Sequence, residues 1–174
     1  THRAIARMSH GLLGRSPDHV ASFVTGMATN PDVFGKFSSN LNRYYEKMRR
    51  EDLYGVYAVL PPQAARNPDF YQSKNLPVPS LRVVREDDDG LVISGMKMLA
   101  TGAVFANELW IGNLLPLAPT QLAESITCAI PTGTPGVTLW SRKPFELHAR
   151  CEFDNPLAWR FDETDSMVMC DNVK

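Results

Sequence analysis

The 174-residue sequence holds three cysteines, Cys128, Cys151 and Cys170, and no CxxC pair. The spacing gives no zinc or redox motif, and the odd count argues against a disulfide framework. Thiols used this way suit a reducing compartment, and a cytoplasmic protein is expected. No apolar run approaches the ~18 residues that a membrane-spanning helix needs. No secretory signal pattern opens the chain. Neither sign of charge dominates, since 18 Lys and Arg face 19 Asp and Glu for a formal net charge of −1. That balance offers no electrostatic footprint for nucleic acid or an anionic membrane. No repeat or low-complexity segment appears, and no cluster with metal-ligand spacing. The chain also lacks an initial Met and stops at "CDNVK", which is read as a piece of a longer polypeptide.

What is present is ordinary globular composition, 44% hydrophobic and 21% charged, enough for one or two small domains. The fold class expected is α+β. Residues 1–54 read as part of a helical domain, with Ile5, Met8 and Leu12 at helical spacing in the first segment. In "GRSPDHVASFVTGMATN", Ser16 is an N-cap, Pro17 the first helical residue, and Val20, Phe23, Val24 and Met27 an apolar stripe. A third helix starts at Asn30 or Pro31 and is expected to bury Phe34, Phe37, Leu41, Tyr44, Tyr45 and Met48. Residues 55–79, rich in Pro, Asn and Gln, read as a linker and active-site loop, because so long an irregular stretch is usually functional. From 80 to 174 the period falls to two. Asp89-Gly90 between "SLRVVRE" and "LVISGMKMLATG" signals a hairpin. Further strands are expected at 107–114, 125–131, 136–142 and 164–171, making an antiparallel barrel or sandwich. "PTGTPG" lacks the GK[ST] of a phosphate loop and is a turn.

One detail asks for chemistry. Arg15 sits beside a helix start that already carries partial positive charge, with His19 just inside it. A cation there is unfavourable unless an anion comes to meet it.

Several stretches together resemble one family: "GRSPDHV", "LPPQAAR", "GLVISGMKMLATGAVFANELWIG", "PTGTPGV" and "DNPLAWRFDETDSMVMCDNV". They are similar to the oxygenase component of two-component, FADH2-dependent aromatic hydroxylases, the 4-hydroxyphenylacetate 3-monooxygenase family, and look closest to its chlorophenol and nitrophenol branch. The resemblance implies an acyl-CoA dehydrogenase-like fold of N-terminal helices and a middle β-barrel, without the C-terminal helical bundle. It implies reduced FAD and O2 as cofactor and co-substrate, with a C4a-hydroperoxyflavin delivering oxygen to a phenol. A separate NAD(P)H:flavin reductase and a homotetramer of the full-length chain are the implied partners.

By the same resemblance Arg15 is the substrate-binding Arg, and His19 a neutral imidazole that accepts the phenol proton. Tyr57 falls where the hydroxyphenylacetate enzymes have a substrate-hydroxyl His. Gln63, Met98, Leu99, Ala100 and Thr101 align with flavin contacts, the Thr101 hydroxyl reaching the N5 and carbonyl region. Arg66 is assigned to a phosphate, or to a carboxylate of the bundle. Leu114 and Leu115 stand where the hydroxyphenylacetate enzymes hold the substrate carboxylate with a Ser-Thr pair. Two leucines would strip a carboxylate of hydrogen bonds, so a phenol without an acidic side chain, halogenated or nitrated, is expected. The alternatives are 4-hydroxyphenylacetate 3-hydroxylase itself, or a non-catalytic assembly module of the same fold.

Overall fold

The computed structural model of the chain describes residues 2–11 and 19–174. Helix α1 (His2–Met8) is closed by Ser9, which donates back to the Ile5 carbonyl at 2.8 Å. Its Met8 is exposed, not part of a buried stripe. Helix α2 (His19–Ala28) buries Val20 and Val24, as its apolar stripe requires. The proposed Ser16 and Pro17 start lies outside the described residues.

The third helical segment is split. A 3-10 stretch, Pro31–Phe37, contains Gly35 at φ 53 and ψ −125, and only then does helix α3 (Ser38–Glu51) begin. The left-handed backbone at Gly35 breaks the helical phase. Phe34 and Phe37 therefore leave the face shared by Leu41 and Met48 and are exposed, a correction to the continuous stripe.

Strand β1 (Gly55–Ala58) forms inside the stretch read as an irregular connection. A short helix α4 (Pro68–Ser73) follows in the same stretch. The hairpin of β2 (Arg82–Asp87) and β3 (Gly90–Thr101) is as expected, shifted by one residue: Asp87 pairs with Gly90, so Asp88 and Asp89 make the turn. Strands β4 (Glu108–Ile111), β5 (Cys128–Pro131), β6 (Val137–Ser141) and β7 (Asp165–Val173) match the four expected runs within a few residues. Helix α5 (Pro156–Phe161) lies between β6 and β7.

Two sheets result. One is three-stranded in the order β1-β4-β5, with β1 parallel to β4; the other is antiparallel in the order β2-β3-β7-β6. They do not close into a barrel. The parallel pair escapes a reading based on hairpins, because its strands are far apart in sequence. Val56, Ala58, Leu81, Ile93, Leu109, Ile111, Ile130, Val168 and Val173 fill the core of the two sheets. Gly95 marks where β3 passes the Ser80–Leu81 backbone: at φ 116, a Cβ there would stand 2.2 Å from the Ser80 carbonyl oxygen. Only glycine fits.

A second cluster joins the helices to the sheet. Val20, Val24 and Met48 pack with Phe23, Tyr44, Tyr57 and Trp110. Trp110 meets Phe23 edge-on at 5.5 Å and Tyr44 at 5.5 Å, so it belongs to this interface. Beside it Glu108 is 3% exposed. Its carboxylate is paired with the ammonium of Lys47 from α3. The Tyr44 phenol is raised by burial first, then by the negative charge of Glu108.

Removing the cation strands a buried carboxylate, whereas neutralising the carboxylate leaves a half-exposed Lys47 that water can serve. Lys47→Met should therefore cost about 3 kcal/mol and Glu108→Gln about 1 kcal/mol, read from denaturant midpoints of the full-length protein. Equal losses would contradict the assignment of burial to one partner.

Candidate functional site

The end of β1 is where three separate parts of the chain meet. Helix α2 lies on β1 with Val20 against Gly55, where an added Cβ would come within 3.1 Å of the Val20 side chain. That approach carries His19 onto Tyr57: their rings are 4.8 Å apart, centroid to centroid, and inclined by 35°. His19 also meets Phe23 edge-on at 5.9 Å. The imidazole is exposed on its other side. His19, Tyr54, Tyr57 and Thr101 line one small open cavity with Val20, Gly55 and Val56. Arg15 lies outside the described residues.

Strand β3 reaches this place with its regular pairing interrupted. Its ladder with β7 runs Lys97 to Val168 and then Ala100 to Ser166, so Met98 and Leu99 together oppose the single residue Met167. This is a β-bulge. Leu99 holds φ 60 with an exposed side chain, a conformation that costs an L residue about 1 kcal/mol. Met98 donates instead across to the Leu60 carbonyl at 2.9 Å. Ala100 is fully buried in the sheet core. The Thr101 hydroxyl donates to Asp165 Oδ1 at 2.5 Å. That leaves its oxygen as an acceptor: it can receive a hydrogen bond from an N–H but cannot give one to a carbonyl.

Gln63 and Arg66 are the first and last residues of a 3-10 turn just beyond β1, both exposed. The segment after β4 returns along the far end of β1. Gly112 and Leu114 donate to the carbonyls of Ala58 and Val59, both at 3.3 Å. Leu114 and Leu115 are exposed there. The structure thus brings together His19, Tyr57 and Thr101 in one cavity. Met98 and Leu114 are hydrogen-bonded to Leu60 and Val59 just beyond β1, but Gln63, Arg66, Met98, Leu99, Ala100, Leu114 and Leu115 do not line that cavity.

Two side chains carry unusual electrostatics and were absent from the sequence reading. Tyr54 is raised by burial first and by Glu163 second. Lys97 is 1% exposed, and burial lowers its ammonium to about 8 against a smaller opposing pull from Glu124. The available signal was a lysine in an otherwise apolar, period-two strand. Cys128 and Cys170 are both pushed up to about 11 by burial. Among the described residues no His, Cys, Asp and Glu cluster has metal-binding geometry. No described helix is long and apolar enough to cross a membrane.

The family described as "4-hydroxyphenylacetate 3-hydroxylase N terminal" matches residues 1–174. A 4-hydroxyphenylacetate 3-monooxygenase oxygenase component from Geobacillus sp. (strain PA-9) is 33% identical over 97% of this chain and 35% of its own length. A 4-nitrophenol 2-monooxygenase oxygenase component from Rhodococcus sp. is 34% identical over 96% of this chain and 32% of its own. The chain spans about a third of the length of these curated relatives. Among solved structures, HpaB, the oxygenase component of 4-hydroxyphenylacetate 3-monooxygenase, complexed with FAD and 4-hydroxyphenylacetate, superposes with a TM-score of 0.80. It is 32% identical over 97% of this chain and 35% of that one. A steroid ACAD variant, 19% identical, superposes with a TM-score of 0.51 over 87% of this chain and 34% of that one, which shows a shared acyl-CoA dehydrogenase-like fold and nothing more.

Two expected outcomes follow from the geometry of β3. Leu99→Gly should be about 1 kcal/mol more stable than Leu99→Ala, because both lose the leucine's apolar contacts but only glycine accepts the left-handed backbone without strain; equal thermal or denaturant midpoints for the two variants would show that the bulge is not strained. Lys97 governs a pH window. Below about pH 8 the folded chain must hold a buried proton; above it the folded Lys97 releases the proton while the unfolded one keeps it to 10.5. The unfolded state then binds more protons, so stability rises with pH. The rise should be visible between pH 8 and 9 and vanish in Lys97→Met. Above pH 9 Cys128 and Cys170 oppose it, since folding keeps them protonated.

Proposed function

The chain belongs to the 4-hydroxyphenylacetate 3-hydroxylase N-terminal family, and from that premise we propose that it is the helical and sheet portion of a two-component, FADH2-dependent phenol monooxygenase. The observation that carries this is the His19–Tyr57 pair at 4.8 Å, lining one cavity with Thr101 where α2, β1 and β3 meet. The finer reading is a halogenated or nitrated phenol, supported by the exposed Leu114 and Leu115 beside β1, which offer a carboxylate no side-chain hydrogen bond.

Reduced FAD, when bound, supplies the electrons that activate O2 for insertion into the ring. The residues present suit such a group. Thr101, its proton committed to Asp165, would offer the flavin an acceptor oxygen. At the bulge Met98 and Leu99 leave the β7 ladder; the Met98 N–H is taken by Leu60, so it is the Leu99 backbone that would face the ring. The Gln63 amide can both donate and accept, and Arg66 suits a phosphate or a carboxylate.

The protein's own work is on the phenol. A phenolate ring is more electron-rich than a phenol ring and yields to an electrophilic oxygen. By the family resemblance Arg15 supplies fixed positive charge for the anionic oxygen. His19 accepts the phenol proton at an imidazole nitrogen. The Tyr57 ring meets that imidazole, and in this reading its hydroxyl orients the substrate oxygen. Leu114 and Leu115 keep water from the ring, since wetting diverts activated oxygen to peroxide. The division into 1–54, 55–79 and 80–174 assigns the phenol oxygen to the first two parts through Arg15, His19 and Tyr57, the flavin to the second and third, and the leucine wall to the third. A separate NAD(P)H:flavin reductase, a homotetramer and a cytoplasmic setting complete the proposal.

The test supplies full-length protein, a flavin reductase, FAD and NADH with 4-chlorophenol, 4-nitrophenol or 4-hydroxyphenylacetate. Turnover of the first two is expected. Turnover of 4-hydroxyphenylacetate alone overturns the leucine argument and restores the hydroxyphenylacetate enzyme. No turnover despite FADH2 binding favours an assembly module. Arg15→Ala should weaken phenol binding by ~2–4 kcal/mol and flavin binding far less; equal losses contradict its role.

A further inference from the structure

The largest fully buried side chain among the described residues is a charged one. Lys97 lies in β3 one residue before the bulge, 1% exposed. Among the described residues no carboxylate lies within ion-pair distance of it, and its hydrogen-bond partner is Asn113 Oδ1 at 2.8 Å. An apolar side chain of this size would occupy the site without the cost of desolvating an ammonium. The charge must therefore be judged by what it holds.

An ammonium can only donate, so Asn113 has to turn its oxygen toward Lys97. Its nitrogen is then forced the other way, where it donates to the carbonyls of Glu124 at 2.9 Å and Ile126 at 3.4 Å. One amide thus ties the first residues after β4 to the residues just before β5. The loop between them is closed at its neck, and Glu124 adds a carboxylate whose charge favours the ammonium. The residue after Asn113 is Leu114, whose N–H is already on the Val59 carbonyl at the end of β1. Two anchors, one on β3 and one on β1, therefore fix the backbone on either side of the 113–114 peptide.

We infer that Lys97 is a positioning residue which, through Asn113, sets the placement of Leu114 and Leu115 relative to the bulged strand that follows Lys97. This rests on the proposed phenol hydroxylation, in which the leucines wall the substrate and residues 98–101 meet the flavin. A wall hung from the flavin-contacting strand keeps substrate and cofactor in register even when the loop beyond it changes. Loosening the clamp should leave flavin binding intact, let water reach the ring and divert activated oxygen to peroxide.

The test compares full-length wild type, Lys97→Met and Asn113→Leu. Hydrogen exchange of amides 112–126 should quicken about tenfold or more in both variants while β3 and β7 stay protected. The phenol KM should rise about tenfold, FAD affinity should hold, and a larger share of NADH consumption should end as H2O2. The double variant should be no worse than the worse single one, because both break the same link. Asn113→Leu carries the test should Lys97→Met fail to fold. Unchanged loop exchange overturns the clamp. A loosened loop with wild-type KM and coupling overturns its link to the substrate. Absence of phenol turnover in the wild type sinks the proposed function instead, and exchange alone then decides the clamp.

Discussion

The approach of α2 to β1 at Val20 and Gly55 is the contact on which the rest depends. Gly55 has no side chain, so Val20 settles directly on the strand, within 3.1 Å of where a Cβ would be. A methyl group there would lift the helix. The next residue back along the helix is His19, and two residues on along the strand is Tyr57. Their stacking at 4.8 Å is a consequence of the same contact. Behind it, Trp110 and Tyr44 fill the wedge between helices and sheet. The cavity is thus built by rigid packing, which places a side chain more finely than a free loop can.

Polar burial follows the same plan. Lys47 pairs with Glu108, Lys97 with Asn113, and Thr101 with Asp165. Each joins positions distant in sequence, and each lies at a seam: helix to sheet, strand to loop, strand to strand. Net stability from such groups is small, since desolvation offsets much of the attraction. Their value is geometric, because an unmatched partner in a wrong arrangement costs several kcal/mol. A strand that carries both a buried lysine and a strained bulge is locally expensive, and such expense is typical where backbone is shaped for a ligand.

Much of this was legible in the sequence. Val20 and Val24 showed themselves by helical spacing, and the β2–β3 hairpin by its acidic, glycine-bearing turn. Residues 98–101 and His19 were singled out by family likeness. Tyr57 was named as well, although nothing local revealed that it stands in a strand. A four-residue strand paired in parallel with β4 leaves no hairpin signal, and its partner is some fifty residues away. Phe34 and Phe37 misled because spacing assumes an unbroken helix and Gly35 breaks it. Lys97 went unread because alternation marks which face a residue takes, and says little about a charge on the inward one. The bulge at Leu99 has no compositional mark, since leucine is a poor candidate for φ 60.

The central claim is that the junction of α2 and β1 holds its ligand as an anion. The most direct measurement is the absorption spectrum of 4-nitrophenol bound to full-length protein, at a pH below that at which the free phenol ionises. Its phenolate and phenol forms absorb at different wavelengths. The account predicts the phenolate band in the complex. A bound spectrum of the neutral phenol would contradict it.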